Sequence, residues 1–161
     1  MTPSIRSMTS LYFVNDQKLL CLFRIGSRVA DQLYIGAAGG HFEEGDMNNP
    51  EKCVLREMKE ELGLTENDIE HLSLRYITSR LKNNELRLNY YFFARLKTDK
   101  VLQSSEGILE WMPYSRLPDL PMPVSARHMI LHYLEEGRHT RHLYAGITQK
   151  EGTGFTVMRE F

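Results

Sequence analysis

Cysteine is scarce in this chain. Cys21 and Cys53 are the only two in 161 residues. Cys21 falls in an apolar strand pattern and Cys53 in a helical one, so both read as buried thiols and a disulfide-stapled secreted scaffold is excluded. Long apolar runs are also missing: none approaches the ~20 residues of a membrane-spanning helix, and no signal-peptide pattern is visible. A cytoplasmic protein without membrane association is expected. Nor is there an excess of charge of one sign. A net charge of -1 leaves no electrostatic footprint for a nucleic acid polymer or an anionic membrane, and a small anionic ligand would need locally placed cations. Internal repeats and linkers are absent as well. What is present is ordinary globular composition, 42% apolar and 25% charged, over a length that suits one domain spanning 1–161.

Strand patterns dominate. Residues 11–14 and 19–25 are separated by Asn15-Asp16-Gln17-Lys18 and read as a hairpin. Alternation continues over 72–78. The clearest strand covers 85–96, with Leu86, Leu88, Tyr90, Phe92, Ala94 and Leu96 on one face and Arg87, Asn89, Tyr91, Phe93 and Arg95 on the other. Asn83-Asn84 supplies a turn before it. A short strand over 108–112 ends at Pro113, and 117–123, with three prolines, is a loop. The tail over 143–161 reads as two short strands around Gly152 and Gly154. These exposed strands after residue 140 are the candidate surface for a homodimer.

Two helices interrupt the strands. Ser125 is the expected N-cap of the second, Met129, Ile130, Tyr133 and Leu134 form its apolar stripe, and Gly137 ends it. His128 and His132 have metal-ligand spacing on it, but Met129 follows His128 where a His-Glu-x-x-His motif has its acid, so packing or solvent-facing roles are expected. The first helix is the informative one. Asn49 suits its N-cap, Pro50 its first position and Gly63 the position just past its end, while Val54, Leu55, Met58 and Leu62 define the core face. It carries Glu57, Glu60 and Glu61, which at about 100° per residue fall within an arc of roughly 100°. Like charges at these spacings repel, and the last two sit at the negative end of the helix dipole. A solvated acidic face is the common meaning of such a pattern, and Arg56 can pair with Glu60 to relieve it. The preceding loop argues otherwise. It holds Gly39, Gly40 and Gly45 beside Glu43, Glu44 and Asp46. Glycines let backbone approach a ligand closely, and a divalent cation turns carboxylate repulsion into ligation.

Gly40, Arg56, Glu57, Met58, Glu60, Glu61, Gly63 and Leu64 resemble the signature box of the Nudix hydrolase family. The helical half matches in full. The loop half departs: Asp46 stands where the family usually has Glu, the gap to Arg56 is two residues longer, with the extra residues at 47–49, and Ala38 stands where many members have Pro. The resemblance implies an α/β/α sandwich with a mixed central sheet. It implies hydrolysis of a nucleoside diphosphate linked to another group, with Mg²⁺ or Mn²⁺. By position, Glu57, Glu60, Glu61 and the carbonyl of Gly39 are implied metal ligands, and Arg56 is implied to orient Glu57. Glu106 matches a segment that supplies a further acid in MutT-type members, and Glu57 and Glu106 are the two contenders for the base.

Arg24 resembles a phosphate-binding arginine of MutT-type enzymes, and its planar fork suits that role. His41, beside Gly40, is a second candidate for touching substrate. Tyr91 and its aromatic neighbours, which more often form core, are candidates for stacking on a base. Trp111, Asp119 and Pro121-Met122-Pro123 are candidates for the pocket border. Residues 78–82 lack the Pro or Tyr of two other Nudix activities, and the runs over 89–96, 110–113 and 120–146 resemble MutT-like nucleoside triphosphate pyrophosphatases. A triphosphate, such as the oxidised purine nucleotide 8-oxo-dGTP, is the expected small-molecule partner. A nucleotide sugar, a dinucleotide and a non-catalytic nucleotide-binding module stay open.

Overall fold

The computed structural model describes residues 2–28 and 30–159. The chain runs β1 (Ser4–Asn15), β2 (Lys18–Arg24), β3 (Tyr34–Gly36), α1 (Pro50–Leu62), β4 (Ile69–Lys82), β5 (Glu85–Leu96), β6 (Gly107–Pro113), α2 (Val124–Glu135), β7 (Tyr144–Thr148) and β8 (Thr153–Val157). The strands pair in the order β3-β2-β1-β5-β4-β7-β8, with β6 on β2. β1 with β5 and β4 with β7 are parallel, and the other pairs are antiparallel, so the sheet is mixed as expected. The hairpin turns at Asp16 and Gln17, both at positive φ, the backbone that matches strand twist in a two-residue turn. The predicted tail strands are β7 and β8; its last two positions, 160 and 161, lie outside the described residues.

Alternation along β5 sets the layers. Tyr91 and Phe93 pack with Met129, Ile130 and Tyr133 of α2. Phe92 and Ala94 pack with Val54 and Met58 of α1. Each helix therefore covers one face of the sheet. Most of the aromatic run is core, and Phe93 stacks on Tyr133 with ring centroids 4.6 Å apart.

The boundaries of α1 follow its sequence signals. The Asn49 side chain accepts the Lys52 N–H at 3.1 Å, Pro50 opens the helix, and Gly63 closes it at φ 69°. That left-handed cap favours glycine. α2 departs from expectation. Pro123 occupies its cap position, with no side-chain cap, and Ser125 lies inside the first turn. The extended Pro123, with φ preset by its ring, turns the chain into the helix before Ser125 is reached. At the other end Glu136 is the cap, and Gly137 begins a short 3-10 turn. His132 bonds the Tyr76 hydroxyl at 2.8 Å and His128 the Thr153 hydroxyl at 3.0 Å, so both histidines pack α2 onto strands.

One detail positions the functional site. β1 and β2 pair only between residues 13–15 and 18–20. Beyond that they diverge, β2 taking β3 and β6 as partners. The freed edge of β1 bonds instead to a loop: Leu11 N–H to Ala38 carbonyl at 2.7 Å, Thr9 N–H to Gly40 carbonyl at 2.9 Å, and Phe42 N–H to Ser7 carbonyl at 3.0 Å. The loop thus takes the place of β2 along this edge of the sheet.

Met58 is fully enclosed and anchors α1 against the sheet. Met58→Ala is expected to lower unfolding free energy by about 2–5 kcal/mol, measured by urea denaturation.

Candidate active site

The split in the sheet opens onto a cavity of about 470 Å³. One wall is the loop on β1, a second is the acidic side of α1, and the floor is the α2-facing side of β1, β5 and β4. Pro123 to Ala126, at the start of α2, also line it. Glu57, Glu61 and Glu106 all reach this space, with Gly39, Arg24, His41 and Tyr91.

Glycine is required at the loop for lack of room. A Cβ at Gly39, which sits at φ 148°, would overlap the Thr9 carbonyl, and one at Gly40 would lie 2.5–2.7 Å from the Glu57 carboxylate atoms. The loop can therefore lie flat against both β1 and the helix. The Gly39 N–H donates to Glu61 at 3.1 Å. Glu106 comes from a different chain segment. Its carbonyl accepts from Ile25 N–H at 3.1 Å, just past β2, and its carboxylate lies 3.9 Å from the Arg24 guanidinium.

The acids destabilise one another. Burial, then the charges of Glu106 and Glu57, lift Glu61 to about 7. Burial and the neighbouring Glu60 raise Glu57 above the ordinary carboxylate value. Among the described residues no three His, Cys, Asp or Glu side chains already converge closely enough to hold an ion. The donor set nonetheless fits a hard divalent cation: carboxylate oxygens from two elements, crowded at a cavity wall, whose mutual repulsion an ion would relieve.

Arg56 stands behind the acids. It donates to Asp46 at 2.8 Å and to the His41 carbonyl at 3.2 Å, and lies 3.6 Å from both Glu57 and Glu43. Asp46 is fully enclosed and also accepts the Glu43 N–H at 2.7 Å. That N–H and the guanidinium hold its carboxyl below the ordinary range, and the Asp46 bond pushes Arg56 further up. Asp46, the shorter acid, thus pins the arginine from the loop side. The two additional loop residues are absorbed in the turn that follows, where Asn49 N–H bonds the Asp46 carbonyl at 2.9 Å.

Two expected site residues lie elsewhere. Glu60 is exposed and does not line the cavity; it stands about 60° around the helix from Glu57, on the solvent side, and acts on Glu57 only through its charge. Trp111 does not line the cavity either. β6 pairs with β2 so that Trp111 sits opposite Leu20, and it lines a separate depression with Val14, Leu102 and Leu109. Asp119 is also absent from the cavity wall, whereas Pro123 belongs to it. Arg56 pairs with Asp46 rather than with Glu60. Arg6, Arg80, Arg87 and Asn89 line the cavity without having been singled out from the sequence. The polar alternation of β5 was the available signal for Arg87 and Asn89. Arg6 and Arg80 depend on register between strands distant in sequence. His41 is held by Arg6, with 2.8 Å between Arg6 Nη2 and His41 Nε2.

The family whose sequence pattern matches is the NUDIX domain, over residues 6–133. No curated protein matches the chain. Among solved structures, a MutT protein from Bacillus halodurans is similar at 23% identity, over 94% of this chain and 97% of that one, with a TM-score of 0.68. A MutT protein from Methanosarcina mazei Go1 aligns at 15% identity, over 87% and 99%, with a TM-score of 0.69. An Ap4A hydrolase from C. elegans aligns at 13% identity, over 85% and 99%, with a TM-score of 0.62. At these identities the structural likeness speaks for the fold.

Asp46→Ala leaves Arg56 without its shortest partner and the Glu43 N–H without an acceptor. A stability loss of about 1–3 kcal/mol is expected at pH 7, read by urea denaturation. Because the folded carboxyl titrates below its unfolded value, its contribution is complete above about pH 4 and fades as pH falls through the folded value. The difference between variant and wild type should shrink accordingly at pH 3.

Proposed function

The chain belongs to the NUDIX family of hydrolases, which act on phosphoric anhydride bonds of nucleoside diphosphate derivatives, and we propose that it hydrolyses a nucleoside triphosphate to the monophosphate and pyrophosphate. The observation that carries this reading is the meeting of Glu57, Glu61 and Glu106 with Arg24 at one cavity wall. It joins acids suited to a cation with an arginine suited to a phosphate.

Members of the family use divalent cations, and here Mg²⁺ or Mn²⁺ is our choice. Glu57 and Glu61 would hold it, with Glu106 and the Gly39 carbonyl as further donors. When bound, the ion supplies neutralisation of phosphate oxygens and activation of water. The chain's own residues do the rest. Arg24 orients a phosphate by charge-assisted hydrogen bonds. Glu57 accepts the proton of the attacking water, favoured over Glu106 because it stands in the fully matched helical half of the family motif and against the Gly40 loop. Arg56 fixes the Glu57 carboxylate from behind.

The floor supports a base-binding role. Asn89 presents an amide, both donor and acceptor, beside Tyr91. An oxidised purine such as 8-oxo-dGTP is our first candidate. The two buried, unpaired thiols fit a reducing compartment, so the cytoplasm is our expected location. No described helix is long and apolar enough to cross a membrane. The edge strand β8 is our candidate homodimer surface.

A Mg²⁺-dependent phosphate- and pyrophosphate-release screen should give turnover on nucleoside triphosphates above nucleotide sugars and dinucleoside polyphosphates. Turnover confined to either of the other classes would replace the substrate assignment, and tight binding with no turnover of any would end the enzyme reading. Glu57→Gln and Glu61→Gln should each lower kcat by about 100-fold or more while circular dichroism stays unchanged. Near-normal kcat in either variant would remove that residue from the mechanism.

A further inference from the structure

Three arginines stand side by side on the cavity floor. Arg6 of β1 is in register with Arg87 of β5, and Arg87 with Arg80 of β4. Neighbouring strands are about 5 Å apart, so the row spans roughly 10 Å. Equivalent positions in a sheet share a face, and all three residues line the cavity. The next row inward is Met8, Asn89 and Thr78, and the next Ser10, Tyr91 and Tyr76. The floor thus grades from cationic to amide to aromatic in steps of about 7 Å.

Like charges directly opposite one another destabilise a strand pair. One carboxylate serves the row: Glu85 lies 2.6 Å from Arg87 and 3.8 Å from Arg6. The Arg80 side chain has no ion pair or hydrogen bond among the described residues. Three positive charges against one negative leave about two in excess at a cavity wall, the complement of a phosphate dianion. The row is made of residues other than those acids, and Arg6 touches the glycine loop at His41. Along β1 it sits three residues before Thr9, whose N–H meets the Gly40 loop, a displacement of about 10 Å.

We propose that Arg6, Arg87 and Arg80 form a subsite for a third phosphate group of the substrate, beyond the two joined by the anhydride that is cut. The inference rests on the cavity being the nucleotide site. Such a group can come from the end of a polyphosphate chain or from a phosphate borne on the nucleoside, and both offer the same oxygens to the guanidinium forks.

Calorimetric titration without added divalent cation tests it, using ADP, ATP and adenosine 3′-phosphate 5′-diphosphate on wild type and Arg80→Gln. At least one three-phosphate probe should bind wild type about tenfold more tightly than ADP. Arg80→Gln should erase that advantage while leaving ADP within about twofold. An advantage confined to ATP assigns the row to the chain end, and one confined to the 3′-phosphorylated probe assigns it to the nucleoside. No advantage over ADP, an equal loss on all three probes, or an advantage that survives Arg80→Gln would each overturn the subsite. The thermal midpoint of Arg80→Gln is expected at or above wild type, since repulsion with Arg87 is relieved. If that variant folds poorly, Arg80→Lys carries the same comparison with about a threefold loss. Binding is read apart from turnover. A chain silent in the hydrolysis screen would still report the subsite, and an active enzyme indifferent to a third phosphate would lose this inference alone.

Discussion

The Arg56–Asp46 ion pair is the interaction on which the site depends. Arg56 belongs to the helix, Asp46 to the loop, and the guanidinium also reaches the His41 carbonyl and the neighbourhood of Glu57. One side chain therefore sets the distance between the glycine loop and the acidic helix. The close approach of Gly40 to the Glu57 carboxylate has meaning only once that distance is set. The loop is fixed on its other side by β1, and the helix by Met58 and Val54 in the core. Carboxylates that repel can then be held at one wall because the scaffold beneath them is satisfied.

Electrostatic conflict recurs at both ends of the cavity with opposite sign. At one end the acids raise one another's proton affinity. At the other, arginines face arginines across three strands. Neither arrangement serves the stability of the empty protein, and each becomes favourable with a ligand of the complementary charge. A nucleotide accompanied by a divalent cation carries both signs. The near-zero net charge of the chain conceals this separation.

What was legible in the sequence was local. Asn49, Pro50 and Gly63 bracket α1 because capping chemistry acts within a few residues, and the alternation over 85–96 reveals a strand with two covered faces. Glu57 and Glu61, one helical turn apart, were bound to share a face. Glu60 stands on the solvent side because a 100° arc admits both a cavity-facing and a solvent-facing edge, and only the docked helix decides between them. The direction of Trp111, away from the cavity, depends on pairing with β2, which is about 90 residues away along the chain. The role of Asp46 required the loop to fold back onto the helix. The arginine row required the register of three strands, two of them joined only through the parallel pairing of β1 with β5, which no local pattern encodes.

The exchange of partners along β1 has a dynamic consequence. Its outer edge is occupied by the loop through hydrogen bonds at Ser7, Thr9 and Leu11, so loosening that wall means breaking several backbone bonds at once. The β2–β3 side leaves β1 after the Phe13–Leu20 pair and returns to it at Ala38, and between these points Gly26, Ala30 and Gln32 stand at positive φ. The glycine-loop wall therefore opens only as a unit, and the amide hydrogens of Thr9, Leu11 and Phe42 are expected to exchange with solvent together and late.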